Sequence, residues 1–94
     1  MATLLIEHPV TDFAAWCTAF GRFAEKRRAS GVRAEHVYQP VDDSSYVVIT
    51  LEFADVARAN QFRVFLAEQV WPTASVLTAV PRTAILEPRD PATR

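Results

Sequence analysis

The chain has 94 residues, of which 50% are hydrophobic and 22% are charged, a balance that favours a globular domain over a disordered segment. This length allows one domain with one core, and the formal net charge of −1 provides no basic field for nucleic acid or an anionic membrane. The first ten residues lack the charged region of a signal peptide, and no apolar stretch approaches the roughly 20 residues that span a bilayer, so we expect a cytoplasmic protein.

The first half of the chain predicts a strand, a helix and a second strand. Residues 2–8 form a short apolar run that Pro9 closes, as is typical of a strand. Asp12 occupies an N-cap position, and from there to about residue 29 the hydrophobic residues follow helical spacing. Residues 32–39 then alternate with a period of two. The arc of the helix that we expect to face the core contains Phe13, Trp16, Cys17, Phe20, Phe23 and Ala24.

The second half of the chain repeats this pattern after a polar turn. Residues 46–53 are rich in β-branched and aromatic side chains and form the clearest predicted strand. Asp55 is the next N-cap, and a second helix runs from it to about Val70, just before Pro72. We expect a turn or a single helical turn over residues 73–80 and a last strand over residues 83–87.

The order of elements is β-α-β-β-α-β, which is the plan of ferredoxin-like α+β domains. Its four-stranded antiparallel sheet has the strand order 4-1-3-2, and both helices cover one face. We expect this domain to occupy residues 1–88, and a polar, proline-containing tail to follow over residues 89–94.

The sheet face without helices has a mixed composition. In the predicted phase of the strands, Leu5, Val37, Val48 and Ile85 lie there among charged and polar side chains. Such a face is too apolar for open solvent and too polar for a dry core, and a second sheet is the simplest cover. We therefore predict a homodimer in which two sheets pack face to face.

Several stretches of the sequence carry a resemblance to a known superfamily. EHPVTDFAAWCTAF, RASGV, the Asp-Asp turn and VVITLEFADVARANQF together resemble the small bacterial proteins of the dimeric α+β barrel superfamily. The chain is most similar to its stand-alone members of the antibiotic-biosynthesis-type monooxygenase kind, over roughly residues 4–87. The resemblance implies a dimeric α+β barrel, but this superfamily contains cofactor-free oxygenases, haem enzymes and isomerases, so it implies no single activity.

The resemblance also bears on cofactors. Haem-degrading members use an Asn on the first strand, a Trp on the third strand and a His on the second helix. The corresponding segments here are TLLIEH, YVVITLEF and a second helix without His, so these residues are absent. We expect no cofactor.

The second strand supplies the first candidate site residues. In the predicted phase, His36 and Tyr38 share a face with Val32 and Ala34 and point toward the helices. As catalytic residues, His36 would act as a general base, and Tyr38 and Arg63 would stabilise an enolate or a phenolate. The alternative is that His36 and Tyr38 are hydrogen-bonded packing residues and that Arg63, inside the apolar stripe of the second helix, extends its guanidinium into water.

Three further residues are candidates for ligand binding. Trp16 would form an aromatic wall, Asn60 would polarise a carbonyl, and Trp71 would cover the cleft between helices and sheet. Each has an alternative: Trp16 as core, Asn60 as a solvated residue, and Trp71 as a contact between protomers.

The remaining polar candidates have weaker signals. His8 ends the first strand, where we expect it at a cavity mouth or exposed. Arg27 is expected to cap the carbonyl end of the first helix. Cys17, the only cysteine, excludes an internal disulfide and is expected to behave as a small buried hydrophobe. No set of residues has the spacing of a metal site.

Two functions therefore stay open. The main hypothesis is a binding or structural protein that holds a small apolar or aromatic molecule between helices and sheet. The alternative is a cofactor-free monooxygenase or isomerase that acts on an aromatic or polyketide-like substrate. A cavity with converging polar groups distinguishes the two, because catalysis needs such groups around an enclosed space.

Overall fold

The computed structural model describes residues 1–74 and 79–89, and it confirms the ferredoxin-like α+β plan. The four strands form one antiparallel sheet in the order β2-β3-β1-β4, as predicted. No helix in the described ranges is long and apolar enough to cross a membrane. The elements are β1 (Ala2–Pro9), α1 (Phe13–Arg22), α2 (Ala24–Ala29), β2 (Ala34–Tyr38), β3 (Tyr46–Phe53), α3 (Val56–Phe65) and β4 (Arg82–Leu86).

Two helical segments differ from the sequence-based prediction. The first predicted helix is broken at Phe23, whose φ of −103° and ψ of 12° interrupt the helical geometry and separate α1 from α2. The second is α-helical only to Phe65, continues as a π-helical turn over Leu66–Val70, and ends in a 3₁₀ turn over Trp71–Thr73. The turn expected over residues 73–80 lies partly outside the described residues, as does most of the tail predicted over residues 89–94.

The main core lies between the sheet and α3. Every second residue of β1 and β3 is buried on this side, and α3 adds Ala59 and Phe62. The rings of Phe53 and Phe62 lie 5.8 Å apart, so the sheet and α3 are in direct side-chain contact. The buried residues contributed by the two central strands are Ala2, Leu4, Ile6, His8, Val47, Ile49, Leu51 and Phe53.

The helix α1 packs much less closely than α3. No Cα atom of α1 comes within 8 Å of a Cα atom of the four strands, whereas α3 approaches β1, β3 and β4 within that distance. Trp16 is the only buried residue of α1. Cys17 and Ala24, which we expected in the core, are exposed, because the helix stands away from the sheet.

The phase of β2 is opposite to the predicted one. His36 pairs with Thr50 and Tyr38 pairs with Val48 across the β2–β3 ladder, and directly opposed residues share a face of the sheet. Thr50 and Val48 lie on the face without helices. The expectation that His36 and Tyr38 point toward the helices is therefore wrong, because a shift of one residue moves every side chain of a strand to the other face.

The composition of the open sheet face changes accordingly. Leu5 and Val48 lie there as predicted, but Val37 pairs with Ile49 and Ile85 pairs with Leu4, so both face the helices. Two neighbouring rows across the open face are Tyr38, Val48, Glu7 and Arg82, and then His36, Thr50, Leu5 and Ala84.

A polar network joins three strands on the open face. The Tyr46 hydroxyl donates to Glu7 Oε1 at 2.8 Å, and Arg82 Nη1 donates to Glu7 Oε2 at 3.2 Å. The hydrogen bond to the Glu7 carboxylate raises the pKa of Tyr46 above its ordinary value. This side of the sheet is consequently ordered by side-chain bonds as well as by the ladder.

Candidate functional site

A cavity of about 660 Å³ lies where α1 stands away from the sheet. Its floor is formed by Ile6, Ile49 and Leu51 of the central strands, and its far wall by Phe62 and Leu66. These side chains are apolar, so the space between α1 and the sheet favours an apolar occupant over water.

The roof of the cavity is a row of aromatic rings on α1. Phe13 and Trp16 have ring centroids 5.8 Å apart with an interplanar angle of 10°, and Trp16 and Phe20 are 4.8 Å apart at 17°. The guanidinium carbon of Arg27 lies 3.6 Å from the centroid of Phe20 and extends this stack. Trp16 and Phe20 line the cavity, whereas Phe13 lies at the outer end of the stack and does not. Phe13 and Phe20 are only half-buried.

His8 places an imidazole in the wall of the cavity. The residue is 3% exposed, its ring lies 6.2 Å from that of Trp16, and its Nδ1 is 3.0 Å from the Pro9 carbonyl oxygen. Because a carbonyl only accepts, this bond assigns the proton to Nδ1 and leaves a lone pair on Nε2. Burial lowers the pKa of His8 below its ordinary value of 6.5, although the bond to Pro9 opposes the shift, so the ring is neutral at pH 7.

The Nε2 atom of His8 is a hydrogen-bond acceptor available to a ligand. The hydrogen bonds of His8 to described residues involve Nδ1 alone. Among the described residues, every fully buried side-chain nitrogen or oxygen has a hydrogen-bond partner. Nε2 has no partner among these residues, so it is not fully buried and is accessible from the cavity that His8 lines. A hydroxyl or N–H group in the cavity could therefore donate to it.

Arg27 forms the second polar part of the cavity wall. Its side chain is only 5% exposed and makes a two-pronged ion pair with Glu35, with Nε to Oε1 at 2.8 Å and Nη2 to Oε2 at 3.2 Å. Its Nη1 donates to the Phe20 carbonyl oxygen at 2.6 Å. Arg27 thus connects α2 to the edge strand β2 and to the end of α1, which is more than the helix capping predicted from its position.

The irregular end of the second helical segment supplies the last wall. Gln69, Val70, Trp71 and Thr73 line the cavity from the π-helical and 3₁₀ turns. A π-helical turn inserts an extra residue and rotates the side chains that follow it, and such turns are frequent at functional sites. Trp71 is half-buried here and packs against the core, and its role as a cover or as a contact between protomers stays a prediction.

The structure brings together two of the six predicted site residues. Trp16 and Trp71 both line the cavity. Arg63 and Asn60 instead bond to each other on α3, with Arg63 Nη2 donating to Asn60 Oδ1 at 2.8 Å, and neither lines this cavity.

His36 and Tyr38 lie on the opposite side of the sheet from the cavity. Their rings stack on each other with centroids 6.1 Å apart, and both side chains are exposed in the isolated chain. A role in catalysis stays a prediction for these two residues, and it would have to be exercised on the open face.

The sequence analysis placed His8 at a cavity mouth or exposed and gave Arg27 a capping role, but it did not predict that both are buried polar residues of the cavity wall. His8 continues the alternation of Ala2, Leu4 and Ile6, and this period of two was a usable signal that it faces the helices. Arg27 lies seven residues after Phe20, which places both on the same side of the helical path. No group of three or more His, Cys, Asp or Glu residues that could hold a metal ion occurs within the described ranges.

No family model and no curated protein matches the sequence. Solved structures do match the fold. A crystal structure of an antibiotic biosynthesis monooxygenase is 12% identical, with a TM-score of 0.66, and the match covers 96% of this chain and 100% of that one. A protein from Mycobacterium tuberculosis is 18% identical, with a TM-score of 0.66 and coverage of 98% and 99%.

A third similar structure is a dimeric ferredoxin-like protein from an uncultured marine organism. It is 15% identical, with a TM-score of 0.66, and the match covers 90% of this chain and 92% of that one. At such identities the comparisons show a shared fold and not a shared activity. They confirm the ferredoxin-like architecture over nearly the whole chain, including the elements that enclose the cavity.

Proposed function

We propose that the protein binds a small, planar, largely apolar molecule in the cavity between α1 and the sheet. The observation that supports this proposal most directly is that the rings of Trp16 and Phe20 and the apolar side chains of the central strands line a space of about 660 Å³. A cavity of this volume lies in the range that holds drug-sized ligands, roughly 300–1,000 Å³. Contact with aromatic rings and transfer from water both favour a flat aromatic body.

A bulky side chain introduced on α1, where it would fill the cavity, tests this proposal. Ala19 lines the cavity on α1, whereas Ala14 is exposed on the same helix and does not line it. We expect isothermal titration calorimetry with 2-naphthol to give a dissociation constant below about 1 mM for the wild type, equivalent to about 4 kcal/mol. Ala19→Trp should abolish this binding, and Ala14→Trp should retain it. Equal binding by both variants would place the ligand elsewhere.

The proposal includes a homodimer formed through the open sheet faces. That face combines Leu5, Val48 and the exposed Tyr38 with the polar network of Glu7, and one similar structure is described as dimeric. Packed sheets would cover His36 and Tyr38 and give both a protein environment. A stable two-fold interface would bury at least about 1,000 Å² in total.

Light scattering coupled to size exclusion tests the dimer. We expect a mass of two chains for the wild type at tens of micromolar. Val48→Lys, which introduces a charge at the centre of the open face, should give the mass of one chain. Val41→Lys is the matched control, because Val41 is fully exposed in the β2–β3 turn and should leave the dimer intact. A monomeric wild type would refute this part of the proposal.

A second candidate function is catalysis without a cofactor on an aromatic substrate. The neutral His8 favours it, because its Nε2 lone pair could accept a proton from a phenol or from carbon next to a carbonyl. Incubation with 1-naphthol or an anthrone in air, followed by mass spectrometry, tests for oxygenation, and exchange in deuterated water tests for proton abstraction. His8→Gln should remove either reaction while retaining the fold.

A further inference from the structure

The charged side chains that line the cavity are all basic. Arg22 and Arg27 are part of its lining, His8 is neutral at pH 7, and no Asp or Glu is among the described residues that line it. Arg22 is solvent-exposed, and the buried Arg27 pairs with Glu35, which does not itself line the cavity. A negatively charged ligand in the cavity would therefore meet cations and would compete with one anion, Glu35.

Glu35, the counter-ion of Arg27, is much more exposed to solvent than Arg27 itself. The Arg27 side chain is 5% exposed, but that of its partner Glu35 is 41% exposed on the edge strand β2. A buried guanidinium requires an anionic partner, whereas a half-exposed carboxylate is readily hydrated. Glu35 can therefore rotate into water at small cost whenever another anion takes its place beside Arg27.

Arg27 also has hydrogen-bonding capacity beyond its present contacts. Its bonds to Glu35 and to the Phe20 carbonyl engage three of the five N–H groups that a guanidinium carries. The geometry of the Glu35 pair shows that a carboxylate can approach this guanidinium with both oxygens at once, which is the strong, planar form of the interaction.

We propose that the ligand of this cavity is an aromatic carboxylate, and that its anion replaces Glu35 as the partner of Arg27. This inference rests on the proposed binding function. The guanidinium carbon lies 3.6 Å from the centroid of Phe20, a face-stacking distance. A carboxylate conjugated to a ring is coplanar with it, so a ligand held by both oxygens places its ring in the plane of the guanidinium, among the apolar side chains that line the cavity.

The proposal makes Glu35 a competitor of the ligand and not part of its site. Removing the charge of Glu35 should then strengthen the binding of an anionic ligand, whereas a merely structural ion pair would predict weaker binding or no change. The direction in which the affinity for the anionic ligand changes therefore decides between these two roles of Glu35.

A matched pair of probes separates charge from shape. We expect 2-naphthoate to bind the wild type about tenfold more tightly than 2-naphthylmethanol in calorimetry at pH 7, since a charge-assisted hydrogen bond exceeds a neutral one by roughly that factor. Glu35→Gln should increase the affinity for 2-naphthoate several-fold and leave that for the alcohol unchanged. Arg27→Met should lower the affinity for 2-naphthoate to that for the alcohol. Arg28→Met, at a solvent-exposed arginine paired with Glu25, should change neither affinity.

The outcomes are distinguishable. If neither probe binds the wild type, the proposed binding function itself fails. If both bind with equal affinity and Glu35→Gln changes nothing, the cavity stands and the carboxylate inference is overturned. Should Glu35→Gln fail to fold with its buried cation unpaired, Arg27→Met decides, because it leaves Glu35 free to enter water. Binding of decanoate as tightly as 2-naphthoate would overturn the aromatic part and indicate a fatty acid.

Discussion

The two helices that cover the sheet, α1 and α3, differ in a way that their sequences do not suggest. α1 presents the larger aromatic face, with Phe13, Trp16 and Phe20, yet Trp16 is its only buried residue and its backbone stands away from the strands. α3 presents fewer large side chains, but Ala59 and Phe62 are buried against the sheet. The small Ala59 allows close approach of the backbone, whereas the large rings of α1 enclose a space without filling it.

This difference indicates that the two helices have different tasks. α3 completes the hydrophobic core, so its contacts contribute to stability. α1 and α2 form a cover that is held by separate contacts: the buried Trp16, the Arg27–Glu35 pair, and Lys26 at 4.6 Å from the ring of Phe65. Aromatic surface that is neither packed nor fully exposed marks a place for a ligand.

The largest expected effect comes from truncating equivalent aromatic residues on the two helices. Phe62→Ala should lower the free energy of unfolding by about 3–5 kcal/mol, since the residue is 2% exposed in the core. Phe20→Ala should cost about 1 kcal/mol, because Phe20 is only half-buried and lines the cavity. Urea unfolding measures both values, and equal costs would mean that α1 is as much a part of the core as α3.

Enlarging an alanine on each helix should give effects of opposite character. Ala59→Leu introduces three carbon atoms into a site with 0% exposure and should destabilise the fold by about 1–3 kcal/mol. Ala19→Leu extends into the cavity and should be neutral or slightly stabilising. A loss of stability in Ala19→Leu comparable to that in Ala59→Leu would show that no usable space exists beneath α1.

The pH dependence of stability should report on the cavity side through His8. Burial holds the pKa of His8 below the value of 6.5 that it has in an unfolded chain. The unfolded chain therefore binds more protons as the pH falls, and the free energy of unfolding should decrease below about pH 6.5 until the folded-state pKa is passed, by at most about 1.4 kcal/mol per pH unit.

A variant of His8 isolates that contribution. His8→Gln should flatten the stability profile between pH 5 and 7. Thermal unfolding across this pH range measures the wild type and the variant, and a flat profile for wild-type protein would exclude a buried neutral imidazole.

The two helix N-caps should give small effects on stability that are alike. Asp12 accepts hydrogen bonds from the backbone of Ala14 and Ala15, and Asp55 accepts one from Arg58. Each change to Ala should cost about 1 kcal/mol. Only Asp12→Ala should also weaken ligand binding, since it loosens the start of α1. Equal ligand affinity in both variants would show that the cover does not depend on its first turn.

The fold was predictable because its signals are local. Asp12 and Asp55 are observed as N-caps, and the predicted strand over residues 46–53 coincides with β3. Each of these signals resides in a few neighbouring residues, so no knowledge of the tertiary structure is needed to recognise it.

The site was predicted only in part because its polar residues depend on distant partners. In β2, either phase turns a polar side chain toward the helices, His36 in one and Glu35 in the other. The choice is made by Arg27, a residue of α2 that pairs with Glu35, and this pairing has no signature in the strand itself. Trp16 and Trp71, which line the cavity, could be named as candidates because large aromatic residues are at least partly buried in most contexts. A buried His8 or Arg27 is stable only where a specific acceptor is near.

The outer strands of the sheet are shorter than the inner ones. β2 and β4 have five residues each, and β1 and β3 have eight. A short edge offers few free backbone groups to an incoming strand, which limits amyloid-like addition of one chain to the next. Strand length therefore disfavours self-association through the edges, where growth would be unlimited, and leaves the broad face for the proposed dimer, in which contact between two copies closes on itself.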